Sequence, residues 1–109
     1  MREGFDGWHR CGGLSDDDLA DLVRRQCIDV LVDLSGHTGH HRLAVFARKP
    51  APVQATWFGY MNTTGLSTID WRLTDAQHDP PGSDAWYTEK LWRMPFVACF
   101  SPDRCCPDP

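Results

Sequence analysis

The 109-residue sequence has no run of about 18 apolar residues, so no stretch of it is long enough to cross a membrane as a helix. Its first ten residues, Met1 to Arg10, lack the apolar core of a signal peptide, and the cytoplasm is the expected compartment. Positive charge is not in excess. Eleven Lys and Arg against fifteen Asp and Glu leave a formal charge of −4, which gives no long-range attraction to nucleic acid or to an anionic membrane, and neither is expected as a partner. CxxC spacing is missing too: Cys11, Cys27, Cys99, Cys105 and Cys106 form an odd set that suits neither a disulfide framework nor a zinc ribbon. Reduced thiols are expected, with Cys27 and Cys99 as small core residues in apolar runs. There is no internal repeat, no GxGxxG, no GxxxxGK[ST], and no nucleophile elbow around Ser35.

What is present is the composition of an ordinary globular domain, 41% hydrophobic and 24% charged. Ser15 followed by Asp18 fits a capping box, Leu14 and Leu19 fit a hydrophobic staple, and Leu19, Leu22 and Val23 recur at helical spacing, predicting a helix over 16–26. The run 28–34, IDVLVDL, reads as a central parallel strand covered on both faces. A loop SGHTGH follows at 35–40, then a short helix around Leu43, Phe46 and Ala47 that Pro50 and Pro52 stop. Val53, Ala55 and Trp57 alternate with Gln54 and Thr56 as a strand closed by GYMNTTG at 59–65. Ile69, Trp71 and Leu73 alternate with Asp70, Arg72 and Thr74 as a strand with one polar face, and DPPG at 79–82 is a turn. Tyr87, Leu91 and Met94 predict a helix ended by Pro95, and 96–100 a last strand.

The order helix, strand, helix, strand, strand, helix, strand predicts an α/β fold with a mainly parallel sheet, entered part-way because such domains open on a strand. The expected division is a lead-in over 1–13, a partial Rossmann-like domain over 14–100 and a flexible tail over 101–109. In open α/β sheets ligands sit beyond the carboxyl ends of the strands, which singles out the loops 35–42 and 59–65. His37 directly follows a strand and is a candidate to bond a substrate or act as a base. Asp33 is a candidate to orient its loop by accepting backbone N–H groups. His37, His40 and His41 with His78 invite a metal site, but Gly36 and Gly39 put them in a loop, where solvated side chains are expected instead. Trp57 and Trp86 are expected to pack rather than stack on a sugar.

The run IDVLVDLSGHTGHHRLAVFARKPAPVQATWFGYMNTTG, continuing into IDWRLTDAQHDPPG and YTEKLWRMP, closely resembles the catalytic region of O-linked N-acetylglucosamine transferases and the related Spindly-type proteins, over about residues 14 to 100. The resemblance implies part of the N-terminal catalytic half of a GT-B glycosyltransferase, a family often preceded by tetratricopeptide repeats. It implies transfer of a sugar, commonly GlcNAc from UDP-GlcNAc, to Ser or Thr hydroxyls of protein acceptors, with no cofactor and no metal. Fucose remains open as the transferred sugar. Most donor-nucleotide contacts and the loop that assists acceptor activation belong to parts of the family outside these residues, so little activity is expected of the chain alone. An inert remnant or interaction module of the same fold stays open as the alternative. The family's loop against the donor sugar corresponds to Gly59, Tyr60, Met61, Asn62, Thr63, Thr64 and Gly65, with Met61 where the family has proline. A second loop corresponds to Gly36, His37, Thr38 and Arg42, with Arg42 an expected acceptor-side or phosphate-side contact. On this basis Gly59→Val is expected to obstruct the sugar, and Thr63→Ala to remove at most one hydrogen bond.

Overall fold

A computed structural model describes residues 4–97. Helix α1 spans Asp16–Arg25. Ser15 caps it by accepting from the Asp18 backbone N–H at 3.1 Å, and its hydroxyl donates to the Asp18 carboxylate at 2.6 Å. Asp18 therefore completes the box through the Ser15 hydroxyl, where a longer Glu would reach the cap's backbone. Asp16, Asp17 and Asp18 in the first turn and Arg24 and Arg25 in the last complement the helix dipole. The helix ends in a Schellman motif: Cys27 N–H donates to Arg24 O and Ile28 N–H to Val23 O, with Cys27 at φ +49°. Cys27 is exposed there, which corrects its expected place in the core. Cys99, residues 98–100 of the strand expected at 96–100, and the tail 101–109 lie outside the described residues.

Four strands follow, β1 at Val30–Asp33, β2 at Val53–Trp57, β3 at Trp71–Asp75 and β4 at Lys90–Met94, with the short helix α2 at Leu43–Ala47 between the first two. All pairings are parallel and the order is β1-β2-β3-β4. The expected α/β class with a parallel sheet is what forms. Two expectations are overturned. The stretch around Tyr87, Leu91 and Met94 is not a helix: a 3-10 turn covers Ser83–Trp86 and β4 takes Lys90–Met94. Between that turn and Pro95 lie eight residues, about two helical turns, too few to recover the nucleation cost of a helix, whereas five residues in register with β3 gain a full ladder. Of the expected last strand at 96–100, the described residues 96 and 97 carry no strand.

The second correction concerns β1, which is an edge strand of the described sheet, with Val30 54% and Leu34 60% exposed. The register sorts the side chains into two faces. Val30, Val32, Val53, Ala55, Trp57, Trp71, Leu73 and Trp92 share one face; Leu31, Asp33, Gln54, Thr56, Arg72 and Thr74 share the other. The polar face is the covered one. Leu31 packs there against Leu43, Phe46 and Ile69, and α1 lies against α2 on that side. Gln54 is fully buried, its amide donating to Phe46 O at 2.9 Å and Thr68 O at 2.8 Å. The alternation expected for β3 is present, but its polar residues Arg72 and Thr74 point inward.

Candidate functional site

Both candidate loops leave the carboxyl ends of adjacent parallel strands, 35–42 from β1 and 59–65 from β2. Asp33, buried at the end of β1, accepts from Ser35 N at 3.2 Å, Gly36 N at 2.8 Å and the Thr56 hydroxyl at 2.9 Å. This is the orienting role expected from its position: one carboxylate fixes the exit of the first loop and ties it to β2. Thr38 then closes the turn, its N–H and hydroxyl both donating to Ser35 O, at 3.0 and 2.7 Å.

The loops interlock through their glycines. Gly36 sits at φ +51°, and a Cβ on it would overlap the Tyr60 side chain. A Cβ on Gly59 would overlap the Leu34 carbonyl and stand 2.8 Å from Ser35 N. Each loop thus fills the space that a side chain on the other would need. The left-handed residue at this corner is Phe58, at φ +63°, while Gly59 is not in that region. Gly59 is consequently required by close approach to the first loop's backbone, and the expected Gly59→Val experiment would break the loop pair before it tested approach of a sugar.

His37 completes the junction. Its Nε2 lies 3.0 Å from Thr64 O and its ring packs edge-on to Tyr60 with centroids 5.1 Å apart. Since a carbonyl only accepts, Nε2 carries the proton and is committed to the second loop. Arg42 turns away from that loop: its Nη2 donates to Leu14 O at 2.7 Å and its Nε pairs with Asp16 at 3.1 Å, fastening α2 to the start of α1. There, His40, His41 and Arg42 line an open depression of about 510 Å³ with Cys11, Gly12 and Leu19. The structure therefore brings Gly36, His37, Gly59 and Tyr60 into one ridge, sets Thr63 farther along the second loop against Glu89, places Thr38 in the turn beside the ridge and separates Arg42. Among the described residues no three His, Cys, Asp or Glu side chains are grouped to hold a metal ion.

The second loop is held from beneath by charges on the covered side of the sheet. Arg72 Nη1 donates to Tyr60 O at 2.9 Å and Asn62 O at 3.2 Å, while its Nε pairs with Asp79 at 2.9 Å. Both partners of that ion pair are buried. The Tyr87 hydroxyl donates to the other oxygen of Asp79 at 2.5 Å. Burial pushes the Asp79 carboxyl up, but its neighbours Thr74, Tyr87 and Arg72 outweigh it and hold the group below its ordinary range. Further along, Glu89 receives Thr64 N at 2.7 Å, the Thr63 hydroxyl at 2.7 Å, the Thr88 hydroxyl at 3.1 Å and the Thr64 hydroxyl. Burial again pushes its carboxyl up, and the Thr64 and Thr63 donors bring it below the usual value. Thr63 has more than the single bond expected of it: its oxygen also accepts from Gly65 N at 3.1 Å and Thr88 N at 3.3 Å.

Sequence reasoning missed Arg72, Asp79, Tyr87 and Glu89 as supports of the site. Arg72 was visible as part of a polar strand face, but Glu89 was assigned to a helix that does not form. At the end of β3, Asp75 accepts from the backbone of Gln77, His78 and Val97 and from the His78 ring, which holds its carboxyl well below the usual range, with the His78 backbone contributing most.

The family model of glycosyl transferase family 41 matches residues 11–103. The chain is 44% identical to a probable UDP-N-acetylglucosamine–peptide N-acetylglucosaminyltransferase SPINDLY of Oryza sativa subsp. japonica and 43% identical to that of Arabidopsis thaliana, in each case over 94% of this chain and 12% of the relative. A solved O-GlcNAc transferase mutant of Thermobaculum terrenum superposes with a TM-score of 0.91 at 47% identity, over 98% of this chain and 21% of that one. The chain thus spans about one-eighth of the length of those curated relatives. A parallel α/β sheet with two interlocked loops at its carboxyl edge, matched at this identity over nearly all its length, places the chain in glycosyl transferase family 41.

Proposed function

We propose that the chain forms one wall of the donor-sugar site in a protein O-glycosyltransferase that moves GlcNAc from UDP-GlcNAc to Ser or Thr hydroxyls of protein acceptors. The observation that carries this is the single ridge made by Gly36, His37, Gly59 and Tyr60, with Thr63 in the same loop, at the carboxyl edge of a parallel sheet, where α/β folds bind ligands. Gly59 is partly exposed on the ridge, and Tyr60, which covers the buried Gly36, presents an exposed ring beside it. Transfer from a nucleotide sugar needs two substrates held in line and a departing diphosphate stabilised. The ridge offers backbone groups and neutral side chains suited to a sugar, while Arg42, a cation expected near the substrates, is spent on α1. The diphosphate is accordingly left to other parts of a GT-B enzyme, and the chain alone has negligible activity. The working compartment is the cytoplasm.

A second reading, an interaction module that keeps the fold without the chemistry, is favoured by the open apolar face of the sheet. One experiment separates the two. The chain replaces the matching segment of the Thermobaculum terrenum O-GlcNAc transferase, and transfer of labelled GlcNAc to a protein acceptor is followed. A chimera within about tenfold of the parent, roughly 1.4 kcal/mol in barrier, supports the donor-wall reading. A folded chimera without turnover overturns it.

A further inference from the structure

Glu89 stands immediately before β4, outside both loops, yet its carboxylate binds the second loop at three points. The chemistry of those points is specific. One oxygen faces Thr64 N–H, which can only donate, together with the Thr64 hydroxyl. The other faces the Thr63 hydroxyl at 2.7 Å. Thr63 has two lone pairs, and Gly65 N at 3.1 Å and Thr88 N at 3.3 Å occupy them, so its proton goes either to Glu89 or to the Thr88 hydroxyl at 3.0 Å, which in turn donates to the same Glu89 oxygen at 3.1 Å. Both oxygens of Glu89 therefore meet groups that require an acceptor. An ionised carboxylate satisfies them; a protonated acid or an amide, which places a donor on one side, does not. Glu89 is 4% exposed, so water does not substitute for a missing acceptor there.

We infer that Glu89, as a carboxylate, is the positioning residue that sets the shape of the 63–65 segment and thereby the fit of the donor sugar, an inference that rests on the donor-wall reading for its second half. Arg72 holds the first part of the loop through the Tyr60 and Asn62 carbonyls, and Glu89 holds the rest. Two opposite charges, Arg72 on β3 and Glu89 immediately before β4, clamp the loop's carbonyls and its donors respectively.

The test uses Glu89→Gln, which keeps size and reach and changes one acceptor into a donor. In the 109-residue chain, the amide resonances of Thr63, Thr64, Gly65 and Thr88 are compared with those of α1 by NMR. The loop amides should shift or broaden and the α1 amides stay in place. In the chimera described above, the KM for UDP-GlcNAc should rise roughly tenfold with kcat within about threefold, the pattern of lost ground-state fit. Adding Thr63→Ala to Glu89→Gln removes the hydroxyl proton that the amide cannot accept, and should recover part of the KM. Loop amides that do not move overturn the positioning role. Loop amides that move while KM stays constant leave Glu89 as the loop's anchor and overturn the donor-wall reading instead. Where Glu89→Gln does not fold, Thr63→Val breaks the same bond from the loop side, and unmoved Thr64 and Thr88 amides in that variant overturn the inference equally.

Discussion

The two faces of the sheet reverse the familiar assignment of polar side chains to water and apolar ones to the interior. On the covered face, Gln54, Thr56, Arg72 and Thr74 are all at or below 3% exposure. On the other, Val30, Val32, Trp57 and Trp92 are exposed, and Trp71 is packed edge-on to Trp92 with Lys90 over its ring. The difference teaches that this layer is held by pairing as well as by apolar contact. Buried polar groups cost free energy only when unpaired. Here the Gln54 amide N–H groups meet two carbonyls, Thr56 meets Asp33, and Arg72 meets Asp79 together with two carbonyls of the loop, while Gln54 Oε1 and the Thr74 hydroxyl have no partner among the described residues. The polar face transmits the geometry of the strands to the loops above them, a directional task that apolar contacts perform poorly.

The largest test of this contrast is Arg72→Met, which fills most of the volume but strands Asp79 and two loop carbonyls. It should cost about 3–5 kcal/mol in urea denaturation. A loss below about 1 kcal/mol would mean that the covered face is held by its apolar contacts alone. Gly59→Ala comes next. Its Cβ meets the Leu34 carbonyl, so a loss of about 1–3 kcal/mol is expected, read by the same denaturation without any ligand. An unchanged midpoint would show that the two loops are not locked to each other.

The covered face also predicts a pH response. Asp79 and Glu89 both have folded-state carboxyls below their ordinary values of 3.8 and 4.5. Groups depressed in this way add stability above the unfolded pKa and lose it as pH falls through the folded one. Stability should be flat from neutral pH down to about 5 and decline below that, and Glu89→Gln should flatten part of the decline. An equal slope in wild type and variant would remove Glu89 from the account. The smallest effect is expected on the open face, where Val30→Lys should change folding stability by no more than about 0.5 kcal/mol. Because that face leaves apolar surface and a strand edge uncovered, the wild-type chain should self-associate, and the lysine should reduce this in sedimentation experiments. Equal sedimentation of the two would place the association elsewhere.

Local signals explain what was legible. Ser15 with Asp18 and the spacing of Leu19, Leu22 and Val23 announced α1 to within one residue of its observed end, and IDVLVDL and VQATW announced β1 and β2, because caps and β-branched runs act over a few residues. Both site loops followed from the strand ends, and Asp33's role from its place beside one of them. What stayed hidden depends on partners distant in sequence. Tyr87, Leu91 and Met94 carry a helical spacing, and only the ladder with β3 makes 90–94 a strand. The alternation over 69–74 gave the correct period and left open which face would be covered, since that is decided by where α2 lies. Glu89 meets Thr63 across 26 residues and Arg72 meets Tyr60 across 12, links that no local pattern encodes.

The reciprocal fit of Gly36 and Gly59 makes the two loops a unit of inheritance. A Cβ introduced on either side finds the other loop in its place, so neither can be enlarged by a single substitution without a compensating one opposite. Recombination between relatives at a point between residues 50 and 53 would separate the partners and pair each loop with a stranger. An exchange aimed at altering donor choice should therefore carry residues 33–65 as one block, because the surface proposed to face the sugar is composed jointly by both halves of it.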